Sequence, residues 1–151
     1  MSYTVTADVF RDVQAEVGTL HAAYYKEMVA RSEMPRAEYA PRTEEFLRMG
    51  DIGEMVTYIL RDESKVAVGF CNVYLANDMH NGELIAIEDT IYIIPNFRGG
   101  LGKAFGQCIL EDLKPRGVKR FIITVLDVAG IADTCRKAGF RDIASQMEYT
   151  F

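Results

Sequence analysis

Residues 94–105 read IPNFRGGLGKAF, a glycine-rich turn between an apolar run and an amphipathic one. Gly99, Gly100 and Gly102 allow positive φ and close approach of a ligand to the backbone. A helix starting here presents unpaired N–H groups and the positive end of its dipole, a cradle for a pyrophosphate. Arg98 and Lys103 add positive charge at the edge. Three phosphate ligands compete for the turn. A nucleotide P-loop needs G-x-x-x-x-G-K-[ST], but Phe97 stands at its first glycine and Ala104 at its hydroxyl residue. A dinucleotide fold needs G-x-G-x-x-G; Gly100 and Gly102 begin it, no third glycine follows, and three strands precede the motif that should come first. The third ligand is coenzyme A.

Working outward, residues 84–94 read as a strand. Its odd positions are Ile85, Ile87, Asp89, Ile91 and Ile93, an apolar face interrupted only at Asp89; Glu88 points to the other face unless a β-bulge exchanges them. Residues 55–60 and 66–75 are two earlier strands, with Gly69 marking a bulge or a close approach. Before them, residues 8–33 form a helix on the stripe Val9, Val13, Val17, Leu20, Tyr24 and Met28, capped by Thr6 or Asp8, with Pro35 beyond its end and Gly18 a point for a kink. Residues 43–49 form a second, short helix. Met28, Met34, Met49 and Met55 read as adaptable packing near a mobile acceptor site. After the turn come a helix over 101–114, a strand over 119–126, a helix over 131–138 stopped by Gly139, and a tail, 140–151, of one or two strands. This order predicts an α/β domain with a mixed sheet, one domain spanning 1–151.

The composition narrows the function classes. Net charge is −5, from 17 Lys+Arg against 22 Asp+Glu, which argues against a general nucleic-acid binder and favours cationic partners such as amines. Apolar residues at 49% exclude disorder for most of the chain, and no apolar run approaches the ~20 residues of a membrane span. No secretory signal opens the sequence. Cys71, Cys108 and Cys135 are widely spaced and form no cluster with His21 or His80, so no metal is expected; free thiols suit a reducing cytoplasm.

Residues 89–105 (DTIYIIPNFRGGLGKAF) resemble the strand-turn-helix core of the GCN5-related N-acetyltransferases, the GNAT superfamily. The similarity extends through the element order and the segment RKAGF (136–140), similar to the family's Y-E-K-x-G-F ending, and covers the whole chain, most like compact single-domain bacterial or phage members. In the family pattern Q/R-x-x-G-x-G/A the basic residue falls three before Gly100, where this chain has Phe97; Arg98 is shifted by one.

The resemblance implies a GNAT fold, a mixed central sheet flanked by helices, and a cytoplasmic acetyltransferase with acetyl-CoA as co-substrate and no metal. Pantetheine would run along the backbone of Ile91, Tyr92 and Ile93. Arg98 and the turn of Gly99, Gly100, Leu101, Gly102 and Lys103 would hold the pyrophosphate. A small-molecule or protein amine would attack the thioester directly, with a strand N–H near Tyr92 or Ile93 stabilising the oxyanion. Asp89, a partly desolvated carboxylate, is the first candidate base and Glu88 the second. The family's acid tyrosine aligns with Cys135; Tyr92, Tyr149 or water are the other candidates. Dimers are common in the family. A GNAT-like acyl-CoA binder or interaction module without activity is the alternative.

Overall fold

The computed structural model describes residues 2–32, 36–125 and 130–151. Runs rich in β-branched and aromatic residues build one five-stranded sheet, from β1 (Thr4–Asp8), β2 (Met55–Arg61), β3 (Ala67–Asn77), β4 (Leu84–Ile93) and β5 (Arg120–Ile122). The strands lie in chain order; the first four pair antiparallel and β5 joins β4 parallel. A parallel neighbour needs a crossover, and the helix α3 (Arg98–Leu113, numbered after the two N-terminal helices) supplies it.

Alternation along the strands divides the core between two faces. On β2, Tyr58 and Leu60 meet the α3 side, where Phe105, Ile109 and Leu113 form an i, i+4, i+8 stripe, each 0–2% exposed. Ile59 between them faces α1 (Phe10–Arg31) and α2 (Thr43–Asp51), packing with Val13, Val17, Leu20 and Leu47. Fully burying a side chain of this size contributes roughly 1.5–3 kcal/mol. At Gly50 on α2 an added Cβ would sit 3.2 Å from the Phe10 Cβ and backbone N, so the glycine sets how closely α1 approaches. Gly69 is the close-approach point its sequence position implies: a Cβ there would lie 2.9 Å from the Tyr92 carbonyl oxygen.

Four expectations are corrected. Thr6 and Asp8 do not cap α1; they belong to β1, where the Thr6 hydroxyl donates to Asp8 at 2.6 Å, and Val9 takes the cap position without a side-chain bond. Gly18 causes no kink, since α1 runs unbroken and its packing outweighs the ~1 kcal/mol glycine cost. The strand expected over 119–126 is confined to Arg120–Ile122; Ile123, Thr124 and Val125 carry no ladder, and Leu126 lies outside the described residues. The tail 140–151 forms no strand. Glu33, Met34 and Pro35, expected at the end of the first helix, also lie outside the described residues. Last comes α4 (Ile131–Lys137), ending at Gly139 with φ +100°, which only glycine adopts readily. Among the described residues, no helix is long and apolar enough to cross a membrane.

Candidate functional site

The site begins where one side of β4 loses its partner. Pairing with β5 covers Ile85, Ala86 and Ile87 opposite Arg120, Phe121 and Ile122, and stops there, while β3 stays paired with β4 as far as Ile93. Among the described residues, the edge of β4 from Glu88 to Ile93 is therefore left without a ladder partner, a gap in the pairing of the sheet. At the same place the β3–β4 register slips: Thr90 pairs with Asn72 and Glu88 with Val73, leaving Asp89 as the extra residue of a bulge. A bulge reverses facing. Ala86 packs on the α3 side before it, and the odd-numbered Ile93 packs on that same side after it. The single apolar face expected along the odd positions is thus broken at Asp89, and Ile91 is 44% exposed.

Glu88 sits in the mouth of the gap. Its carboxylate accepts from the Thr124 backbone N–H at 3.2 Å and lies against the Ile91 N–H, joining the two diverging segments. Burial pushes its carboxyl above the ordinary glutamate range, reinforced by the nearby charge of Asp89 and opposed by these two N–H donors. Asp89 itself turns toward the α1 and α2 side, accepting from the Thr90 hydroxyl at 3.0 Å and facing the Tyr74 phenol. The direction of the backbone groups follows from one bond. Ile94 donates its N–H to Val68 on β3 at 2.9 Å, so Tyr92, two residues earlier, also faces β3, and the N–H groups of Ile91 and Ile93 point toward the gap. An oxyanion donor at Tyr92 does not fit this alternation; one at Ile93, the other candidate, does, and so does Ile91.

The glycine turn lies at the far end of the same edge. Pro95–Phe97 form one 3-10 turn, and regular helix begins after Gly99 (φ −67°, ψ 84°) and Gly100 (φ 94°, ψ −26°). Only Gly100 of the three glycines needs the left-handed region. A Cβ at Gly99 would meet nothing within 4 Å, and one at Gly102 only the Ile93 Cδ1 at 4.0 Å, so the fold itself gives neither a steric reason to be glycine. Both are exposed, as is Lys103, while Leu101 is partly buried and packs beneath them on the α3-side core.

Arg98 is placed away from the turn's amides. Its guanidinium makes a two-pronged pair with Glu27 on α1 (2.8 and 2.6 Å), donates from Nε to the Ile93 carbonyl at 2.7 Å, and lies 5.4 Å over the Tyr92 ring. The one-residue shift of this arginine relative to the family pattern thus has a structural counterpart: it ties the turn to α1. The hydrogen bond and charge of Arg98 hold the Glu27 carboxyl below the usual range. Tyr92 is buried, its hydroxyl directed at the same pair.

Cys135 sits on α4, and its thiol makes no hydrogen bond with Glu88, Asp89 or the turn among the described residues. Burial pushes it up, away from the thiolate. Tyr149 is exposed and stacked edge-on with Phe151. Both carboxylates act on Tyr24 of α1: burial raises it first, and the charges of Glu88 and Asp89 add to that. Tyr24, Tyr74, Thr124 and Glu27 were not singled out as functional from the sequence. The helical stripe favours core or rim for Tyr24 over substrate binding; the others depend on contacts across the sheet. No group of three or more His, Cys, Asp or Glu able to hold a metal occurs among the described residues.

No family model matches the chain, and no curated protein does. Solved structures do. An aminoglycoside acetyltransferase from an uncultured soil metagenomic sample shares 17% identity at a TM-score of 0.76, covering 100% of this chain and 99% of its own. A ribosomal-protein-alanine N-acetyltransferase from Brucella melitensis biovar Abortus 2308 shares 18% at 0.71, covering 100% and 97%. An acetyltransferase from Trypanosoma brucei shares 17% at 0.68, covering 99% and 100%. At such identities the likeness is one of fold, and the fold is the GNAT type: a mixed five-stranded sheet flanked by helices, split between β4 and β5.

Proposed function

We propose that this chain is a GNAT-family N-acetyltransferase, moving an acetyl group from acetyl-CoA to a primary amine by direct attack in a ternary complex. The observation that carries this reading is the unpaired edge of β4, with Glu88 at its start and the glycine turn at its end. Acetyl-CoA would lie along that edge, its pantetheine amides against Ile91 and Ile93 and its pyrophosphate against the amides of Gly99 to Lys103. The thioester carbonyl would take the Ile91 N–H that Glu88 now faces, and that donor would stabilise the tetrahedral oxyanion.

Glu88, displaced from its two N–H groups, is then the base. Its raised pKa suits removal of a proton from an ammonium near neutral pH, and Asp89 stands beside it on the side from which an amine enters. The amine nitrogen attacks the carbonyl carbon, the C–S bond breaks, and the departing thiolate takes a proton. Tyr24 is the proposed donor, kept protonated by burial and by both carboxylates. Cys135 has no contact that recommends it. The free thiols at Cys71, Cys108 and Cys135 accord with a reducing compartment, the cytoplasm in this reading.

Titration with acetyl-CoA, followed by thiol release over a panel of amines, tests the proposal. Saturating acetyl-CoA is expected to raise the unfolding temperature, and an accepted amine to release free coenzyme thiol. A GNAT-like binder without activity would show the first effect and never the second. Absence of both would refute the reading.

A further inference from the structure

The α1 and α2 side of the sheet carries a concentration of rings that packing alone does not require. His21, Tyr25, Tyr39, Phe46 and Tyr74 line an open cavity of ≈ 440 Å³. His21 makes edge-on contacts with Tyr39 (5.5 Å) and Phe46 (5.7 Å), and Tyr25 is tilted against Tyr39 at 5.5 Å. The segment carrying Tyr39 is fastened on both sides: the Tyr25 hydroxyl donates to the Ala37 carbonyl, and Arg36 pairs with Glu148 at 2.6 Å. Its wall residue Tyr74 directs its phenol at Asp89 in the bulge.

We infer that this cavity is the acceptor site and that it takes a monocationic amine on an aromatic or aliphatic stem, rather than a polycationic sugar or a peptide N-terminus. This rests on the acetyltransferase reading above and names the acceptor class. Ring faces attract a single ammonium. The rings do not oppose it: burial keeps His21 neutral by lowering its pKa, and keeps the Tyr39 phenol protonated by raising its pKa. A polycation would need several available carboxylates. Of the two acidic residues lining the cavity, Glu45 is engaged by Arg48 at 2.6 Å, and Arg42 lies in the same wall. Among the described residues only Glu38 is left at the rim, with Asp89 facing Tyr74. The volume is that of a one-molecule site, at the lower part of the ~300–1,000 Å³ range of small-ligand pockets, and too short for an extended peptide.

Calorimetric binding needs no coenzyme and so separates this inference from the activity it rests on. Phenylethylamine, its isosteric alcohol 2-phenylethanol, an aminoglycoside and an alanyl peptide are titrated into wild type, Tyr39→Ala and His21→Ala, each variant first checked for an unchanged unfolding temperature. Phenylethylamine is expected to bind best, with a loss of about tenfold for the alcohol and about tenfold in Tyr39→Ala. Equal binding of the alcohol, tighter binding of the aminoglycoside or peptide, or indifference to both substitutions would overturn the inference. Binding without thiol release in the presence of acetyl-CoA would sustain the site and refute the activity instead.

Discussion

The two halves of β4 share one strand and serve different ends. Leu84–Ile87 is paired on both edges, and Ala86 in it is 0% exposed. Among the described residues, Glu88–Ile93 is paired on one edge only, and it holds an exposed isoleucine, two carboxylates and N–H groups that face the unpaired side. The bulge at Asp89 divides them. Backbone groups that a sheet would normally pair are thus left over on one edge, although Tyr92 and Ile93 still bury their side chains in the core. In the proposed reading the first half contributes to folding and the second to recognition, and substitutions on either side of Asp89 should separate the two.

The largest expected effect is at Glu88. Glu88→Gln should lower turnover by about 10²–10⁴-fold while acetyl-CoA binding persists and the unfolding temperature does not fall. The wild-type rate should climb with pH through a value above the ordinary glutamate pKa, and that acid limb should vanish in the variant. The sign for stability is opposite: a carboxyl raised by burial favours the folded state at low pH, and that contribution is lost as pH rises through its raised value. On the other side of the bulge, Ala86→Leu should cost about 1–3 kcal/mol by overpacking, read by urea unfolding, with acetyl-CoA affinity unchanged in the molecules that fold.

The turn provides a finer comparison. Gly100→Ala carries backbone strain at φ +94°, about 1–2 kcal/mol. Gly99→Ala meets open space at negative φ, so stability should hold and only acetyl-CoA affinity should fall. Normal affinity in Gly99→Ala would remove the pyrophosphate from this turn. The smallest effect is at Glu27. Its lowered carboxyl stabilises the fold above the usual glutamate pKa of 4.5, and that stability is lost as pH falls through the lower folded value. Both partners are partly exposed, so Glu27→Gln should cost less than about 1 kcal/mol at neutral pH and flatten the acid dependence of unfolding.

The order of elements from the first long helix to α4 and the α1 side of the core were legible because period and turn residues encode them locally. Val13, Val17 and Leu20 mark one helix face, and Gly99 to Gly102 mark the turn. The bulge was not legible as a fact. Ile85, Ile87, Ile91 and Ile93 keep the same residue type across it, so the sequence conceals a slip that only the pairing with Asn72 and Val73 reveals. Thr4–Asp8 was hidden for another reason: Thr6 and Asp8 are good helix caps as well as acceptable strand residues, and pairing with Thr57–Arg61 decides between them. The reach of Arg98 to Glu27 and of Glu88 to Thr124 spans 71 and 36 residues, beyond any local pattern.

Amide hydrogen exchange, with and without acetyl-CoA, tests the central claim most directly, since it reads the very N–H groups left over by the β4–β5 split. Ile91 and the turn from Gly99 to Lys103 should gain protection on adding acetyl-CoA, while Leu84–Ile87 stays as it was. Bound acetyl-CoA with no new protection at Ile91 or the turn would contradict the account.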